Sequence, residues 1–188
     1  MIEAWFDGAC EPVNPGGTAS YGVIIMQNGE TLHECAAVYA PPDGGQTSNN
    51  VAEYAAFIAA LEYLLDNALT SERVVIRGDS NLVVQQMLGN WAIRKGAYVP
   101  LARHAQQLLR KCPVQPELRW IPREENEEAD RLSKAALADR FGVHKKTIYK
   151  IVAKANVAVT PRPAPFQTIT SPHPSVMISL SSVMKLTS

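Results

Sequence analysis

The sequence predicts an α/β fold: a five-stranded mixed sheet with an antiparallel edge, flanked by helices, followed by a C-terminal extension. Three observations predict it. Residues 2–40 form three β-rich segments separated by turn clusters. A long segment from 51 to 65 is apolar nearly all round, as a buried central helix must be. After it, strand-like and helix-like segments alternate, the pattern of parallel strands added to a sheet.

The first strand is read over 2–9, where Ile2-Glu3-Ala4-Trp5-Phe6 runs into Asp7 and Gly8. Pro12 to Gly17 is a turn cluster. Tyr21, Val23, Ile24 and Ile25 mark a second strand over 20–27. Asn28-Gly29 is a two-residue hairpin signal, with its return strand over 30–40. Pro41-Pro42-Asp43-Gly44-Gly45 closes this meander. Ser48, Asn49 or Asn50 caps the central helix, which reaches about residue 67. A strand over 73–78 and a short helix over 80–88 follow. Residues 91–99 are a loop with basic and aromatic side chains. A helix begins near Pro100 and ends near Lys111, with proline at its start. A strand over 117–121 and a helix over 125–141 complete the order βββ-α-β-α-α-β-α.

Composition narrows the function classes. The 188 residues suffice for one full domain plus an extension. No apolar run approaches the ~18 residues of a membrane span. The first residues are strand-like, so a secretory leader is not expected. Cys10, Cys35 and Cys112 are odd in number and unpaired in spacing. That argues against a disulfide framework or structural zinc, and predicts a reducing cytoplasm. No heptad or apolar strip suggests an oligomer, so a monomer is expected.

The zero net charge hides an asymmetry. Residues 1–139 carry all 18 acids against 11 Lys and Arg, a net −7, and 140–188 carry +7. Between Asp79 and Glu117 there is no acid, while Arg94, Lys95, Arg103, Arg110 and Lys111 are basic. Such segregation points to a polyanionic partner. Residues 140–155 read as a basic helical extension. Ala138, Phe141, Gly142, Val143, Ile148 and Ile151 have the spacing of a partial helix-turn-helix, with Lys145, Lys146 and Lys150 toward phosphate of duplex DNA or RNA. Residues 156–188 are Pro- and Ser-rich without period, a composition expected to stay disordered.

Four carboxylates stand where apolar elements meet turns or open helices: Asp7, Glu53, Asp79 and Asp130. Acids at strand ends pack no core and form strands poorly. Converging, they repel one another unless a cation lies between them, and Mg²⁺ prefers such oxygens.

The surrounding residues resemble type I ribonuclease H from about 2 to 139. The matching motifs are Asp7-Gly8-Ala9-Cys10 with Asn14-Pro15-Gly16, then Thr47-Ser48-Asn49-Asn50 with Ala52-Glu53, then Asp79-Ser80, then Arg123-Glu124-Glu125-Asn126 with Ala129-Asp130. Each is weak alone; four in order on suitable elements are specific. The resemblance implies an endoribonuclease that cuts the RNA strand of RNA–DNA hybrids with two Mg²⁺ ions about 4 Å apart, Mn²⁺ being an alternative. It implies that Asp7 bridges both ions, that Glu53 and Asp79 serve the leaving group, and that Asp130 serves the attacking water. It further implies that Cys10, Asn14, Asn49 and Asn50 read the 2′-OH that separates RNA from DNA. Ser48 maps to a DNA-phosphate pocket, and Trp91, Arg94 and Lys95 to the DNA-strand surface. Ser80 and Asn126 join the substrate-binding set.

Two departures stand out. Many members carry a histidine before the last aspartate; here Arg123 lies in that loop. An arginine stays protonated, so it can hold a phosphate but cannot act as a base. The basic protrusion of some relatives is also missing, because 89–100 is too short for it. Other nucleases of the same fold remain alternatives, as does a non-catalytic nucleic-acid-binding regulator. The exonucleases expect an acid where Ala9 stands, and an intact acid set argues against a dead enzyme.

Overall fold

A computed structural model describes residues 1–41 and 44–141. Strands β1 (Ile2–Glu11), β2 (Thr18–Gln27) and β3 (Glu30–Tyr39) form an antiparallel meander. Asn28 and Gly29 both have positive φ, 53° and 88°, the turn that matches the twist of a two-residue hairpin. Helix α1 (Asn49–Asp66) leads to β4 (Val74–Gly78), α2 (Asn81–Met87), α3 (Val99–Lys111), β5 (Glu117–Trp120) and α4 (Glu127–Phe141). The sheet order is β3-β2-β1-β4-β5, with β4 parallel to β1 and β5 parallel to β4. The expected architecture, three antiparallel strands with two parallel additions, is the one observed.

Pleating divides β1 between two layers. Ile2, Ala4 and Phe6 join Tyr54, Phe57 and Leu61 of α1 in the main core. The Phe6 and Phe57 rings meet edge-to-face at 5.3 Å, the favoured aromatic geometry. Helices α2 and α3 pack beside α1 on this side. On the other face α4 lies across β1, β2 and β3. Gly22 allows that approach, since a Cβ there would sit 2.3 Å from the Ala129 carbonyl oxygen.

One boundary differs usefully. The last helix opens at Glu127, because Arg123–Glu125 forms a 3-10 turn. Pro122, held near φ −65°, cannot continue the strand, and its carbonyl accepts the Glu125 N–H. This turn sets Asn126 apart from both elements.

All three cysteines are free thiols. Among the described residues no helix is long and apolar enough to cross a membrane. The expected basic extension and the Pro/Ser-rich tail lie, from residue 142 onward, outside the described residues.

Candidate active site

Asp7 and Asp79 each follow the last residue pair of the parallel β1–β4 ladder, Phe6↔Gly78. Two adjacent parallel strands thus deliver two acids to one end of the sheet. Glu53 comes from the first turns of α1, five residues past the Ser48 cap. The approach depends on Gly8: a Cβ there would lie 2.2 Å from the Glu53 nitrogen and 2.3 Å from the Ala52 carbonyl carbon. The α1 backbone rests directly on β1. One oxygen each of Asp7, Glu53 and Asp79 then lie within 4.8 Å of one another.

This trio is electrostatically incomplete. Asp7 is 5% exposed, and burial pushes its carboxyl up to about 7. The Ser133 hydroxyl, donating to Asp7 Oδ2 at 2.5 Å, opposes the shift; the charges of Asp79 and Asp130 add to it. Burial also pushes Glu53 well above the usual carboxylate range, with Asp7 and Asp79 adding and the Gly8 N–H opposing. Glu53 Oε2 is buried and has no hydrogen-bond partner among the described residues. An orphaned carboxylate oxygen beside two more carboxylates lacks only a positive charge. Hard oxygen donors of this kind suit a hard divalent cation rather than a softer metal.

Asp130 stands outside the trio. Its Oδ1 accepts from Arg123 Nη2 at 2.8 Å, and its Oδ2 from the Lys134 ammonium one helical turn on. The fourth carboxylate is therefore neutralised by two cations of the chain.

Asn126, placed by the sequence in the substrate-binding set, is buried, 1% exposed, and its Nδ2 donates to the Phe6 carbonyl at 2.9 Å and to Asp79 Oδ1 at 2.8 Å. The 3-10 turn aims it inward. Trp120, which the sequence reading passed over, donates its indole N–H to the Asp79 carbonyl at 3.1 Å. Asp79 is thereby fixed at both its backbone and its carboxylate. Asn126→Ala should lower stability by about 1–3 kcal/mol, since it strands the buried Phe6 carbonyl. It should also reduce the site's cation affinity, measurable by calorimetry, because Asp79 loses its orienting donor.

The remaining expected residues fall into three places. Cys10, Asn14 and Asn49 are linked: Asn49 Oδ1 accepts the Cys10 N–H at 2.8 Å, and Asn14 Oδ1 accepts the Asn49 N–H at 2.9 Å. The Cys10 thiol itself is buried, so only its backbone joins this set. Ser48 caps α1 by accepting the Val51 N–H at 3.3 Å, with Asn50 half-buried two residues on. Ser80 occupies the cap of α2 without a cap bond. Trp91, Arg94 and Lys95 are exposed on the loop between α2 and α3, Trp91 by 47%, so Trp91 is no core aromatic.

That loop is held by Gln86, a buried side chain the sequence reading missed. Its Oε1 accepts from the Tyr54 hydroxyl at 2.6 Å, and its Nε2 donates to the Ala92 carbonyl at 3.1 Å. Ser133 and Lys134 were missed too. Their spacings three and four residues after Asp130 were the available signal, since such residues share a helix face.

Residues 5–136 match the family described as Reverse transcriptase-like. The chain belongs to that family, in its type I ribonuclease H branch. Ribonuclease HI of Halobacterium salinarum is 34% identical over 138 residues, which cover 73% of this chain and 65% of that protein. Its crystal structure matches with a TM-score of 0.64, covering 73% of this chain and 98% of the other. LC11-RNase H1, solved in complex with RNA/DNA hybrid, is 34% identical with a TM-score of 0.65, over 74% of this chain and 98% of that one. The N-terminal RNase H domain of Rv2228c from Mycobacterium tuberculosis is 31% identical with a TM-score of 0.63, over 72% and 97% of the two chains. The chain spans 32% of the whole bifunctional protein Rv2228c and 65% of the Halobacterium relative.

Proposed function

We propose that the protein is a monomeric, cytoplasmic endoribonuclease that hydrolyses the RNA strand of RNA–DNA hybrids, leaving 5′-phosphate and 3′-OH ends. The observation that carries this reading is the Asp7–Glu53–Asp79 trio with its orphaned Glu53 oxygen. A relative solved with RNA/DNA hybrid supports the choice of substrate.

Asp7, Glu53 and Asp79 would hold Mg²⁺, two ions with Asp130 added, and Mn²⁺ could replace it. When bound, such ions supply an acidified water and neutralise charge on the departing 3′ oxygen. The chain's own residues do the rest. Asn126 and Trp120 keep Asp79 in place. Cys10, Asn14, Asn49 and Asn50 form the surface that recognises the ribose 2′-OH. Ser48 receives a DNA-strand phosphate at the start of α1, Ser80 belongs to the substrate-binding surface, and Trp91, Arg94 and Lys95 line the DNA strand.

Arg123 takes the position where many relatives have histidine. Its guanidinium stays charged, so it holds the scissile or product phosphate and moves no proton. Arg123→Ala should lower kcat by about tenfold, the worth of one charge-assisted contact at an exposed site, with cation affinity not reduced. Steady-state cleavage alongside Mg²⁺ calorimetry checks both halves, and an unchanged kcat would refute the role.

The deciding experiment incubates the protein with end-labelled RNA–DNA hybrid, duplex DNA and duplex RNA, with and without Mg²⁺. Cleavage of the RNA strand of the hybrid, dependent on the cation, is expected. No hybrid cleavage with either Mg²⁺ or Mn²⁺ rejects the reading.

A further inference from the structure

We propose that Lys134 is a positioning residue whose ammonium keeps Asp130 out of the Asp7–Glu53–Asp79 trio until a divalent cation displaces it. The inference rests on the cation chemistry proposed for that site, and goes beyond it by assigning a competitor within the chain. Asp130 contributes no oxygen to the trio. Both its oxygens are spoken for, Oδ1 by Arg123 and Oδ2 by Lys134. The two cations are not equivalent. The Arg123 side chain is 69% exposed, Lys134 only 25% and Asp130 18%. Lys134 also sits four residues after Asp130 on α4, the acid-before-base order that a helix favours. The sheltered lysine is therefore the firmer hold.

The backbone is already in place for a transfer. Ser133 Oγ bonds both the Asp130 carbonyl, at 2.9 Å, and Asp7 Oδ2. That bridge ties the first turns of α4, which carry Asp130, to the trio. A divalent ion approaching Asp130 must take an oxygen from the Arg123 guanidinium or the Lys134 ammonium, and by either route it meets the charge of the sheltered ammonium. Lys134 thus weakens cation binding in the substrate-free protein while relieving the repulsion between Asp130 and the trio.

The test compares wild type with Lys134→Met, which keeps the aliphatic stem, and Lys134→Arg, which keeps the charge. Calorimetric titration with Mg²⁺ or Mn²⁺ alone, without nucleic acid, should show Lys134→Met binding about fivefold tighter, as expected for relief of one partly exposed charge. Without cation Lys134→Met should melt lower than wild type, and Mg²⁺ should raise its melting temperature more. Lys134→Arg should resemble wild type. In an Asp130→Asn background the effect of Lys134→Met on affinity should vanish, because the contested carboxylate is gone. Equal or weaker cation binding by Lys134→Met overturns the proposal, as does a wild type that binds neither ion. A wild type that binds Mg²⁺ but cuts no hybrid refutes the proposed activity and leaves Lys134 to be judged by binding alone.

Discussion

Asp7→Asn is expected to abolish hybrid cleavage while making the cation-free protein more stable at neutral pH. Both effects have one cause. Asp7 is buried among acids, and its carboxyl is pushed from an ordinary 3.8 up to about 7, chiefly by burial. Between those values the folded chain retains a proton that the unfolded chain has released. Stability therefore falls as pH rises from about 4 through 7, and the loss is complete above the folded value. A shift of this size corresponds to about 4 kcal/mol, taken as an upper bound for a site that can relax. Asparagine is neutral at every pH and can still accept from Ser133. Thermal melts without divalent cation should place Asp7→Asn above wild type at pH 8 and bring the two together near pH 4. Added Mg²⁺ should close the gap at pH 8, by stabilising wild type and not the variant. Cleavage should fall by at least ~10³-fold, because the carboxylate between Glu53 and Asp79 is lost. A variant less stable than wild type at pH 8, or one that still turns over, would contradict this account.

The parts of the molecule legible in the sequence share a physical property: they follow from local pattern. Asn28-Gly29 announced its hairpin because few other pairs accept two positive φ values. The three strands of the meander, the buried α1 and the proline-led α3 followed from periodicity and caps. Asp7 and Asp79 stood out because acids rarely end apolar runs, and Glu53 because it lies in the first turns of a helix that is apolar nearly all round. What stayed hidden depends on side chains meeting across long stretches of chain. Ser133 bonds Asp7 from 126 residues away, and Asn126 bonds Phe6 from 120. Polar residues with such partners look like ordinary surface positions until the fold brings the partners together. Asn126 shows the difficulty best. It lies in a recognisable motif, yet the 3-10 turn after Pro122, not the motif, decides that it faces inward. Asp130 was expected among the site's acids and stands outside the trio; its pairing with Lys134 was not read despite the helical spacing.

Gly8→Ala should do more damage than a methyl group suggests. Gly8 is not among the residues with positive φ, so the substitution meets no backbone strain of that kind. The obstacle is contact alone: the added carbon would lie 2.2 Å from the Glu53 nitrogen, 2.3 Å from the Ala52 carbonyl carbon and 2.7 Å from its oxygen. These are backbone atoms of a helix pinned along its length by Tyr54, Phe57, Leu61 and Leu64, all at most 1% exposed. No flexible side chain can step aside, so α1 must lift off β1 or the strand must bend. Overpacking of this kind costs about 1–3 kcal/mol, and the rigid contact places Gly8→Ala at the upper end. Because α1 carries Glu53, the same displacement opens the trio. Cation affinity measured well below the melting temperature should therefore fall along with stability. Gly29→Ala is the control, with φ +88° and nothing near its Cβ. It should cost about 1 kcal/mol through the turn alone and leave cation binding unchanged. A Gly8→Ala protein that melted and bound Mg²⁺ like wild type would show that Glu53 does not owe its place beside Asp7 to this contact.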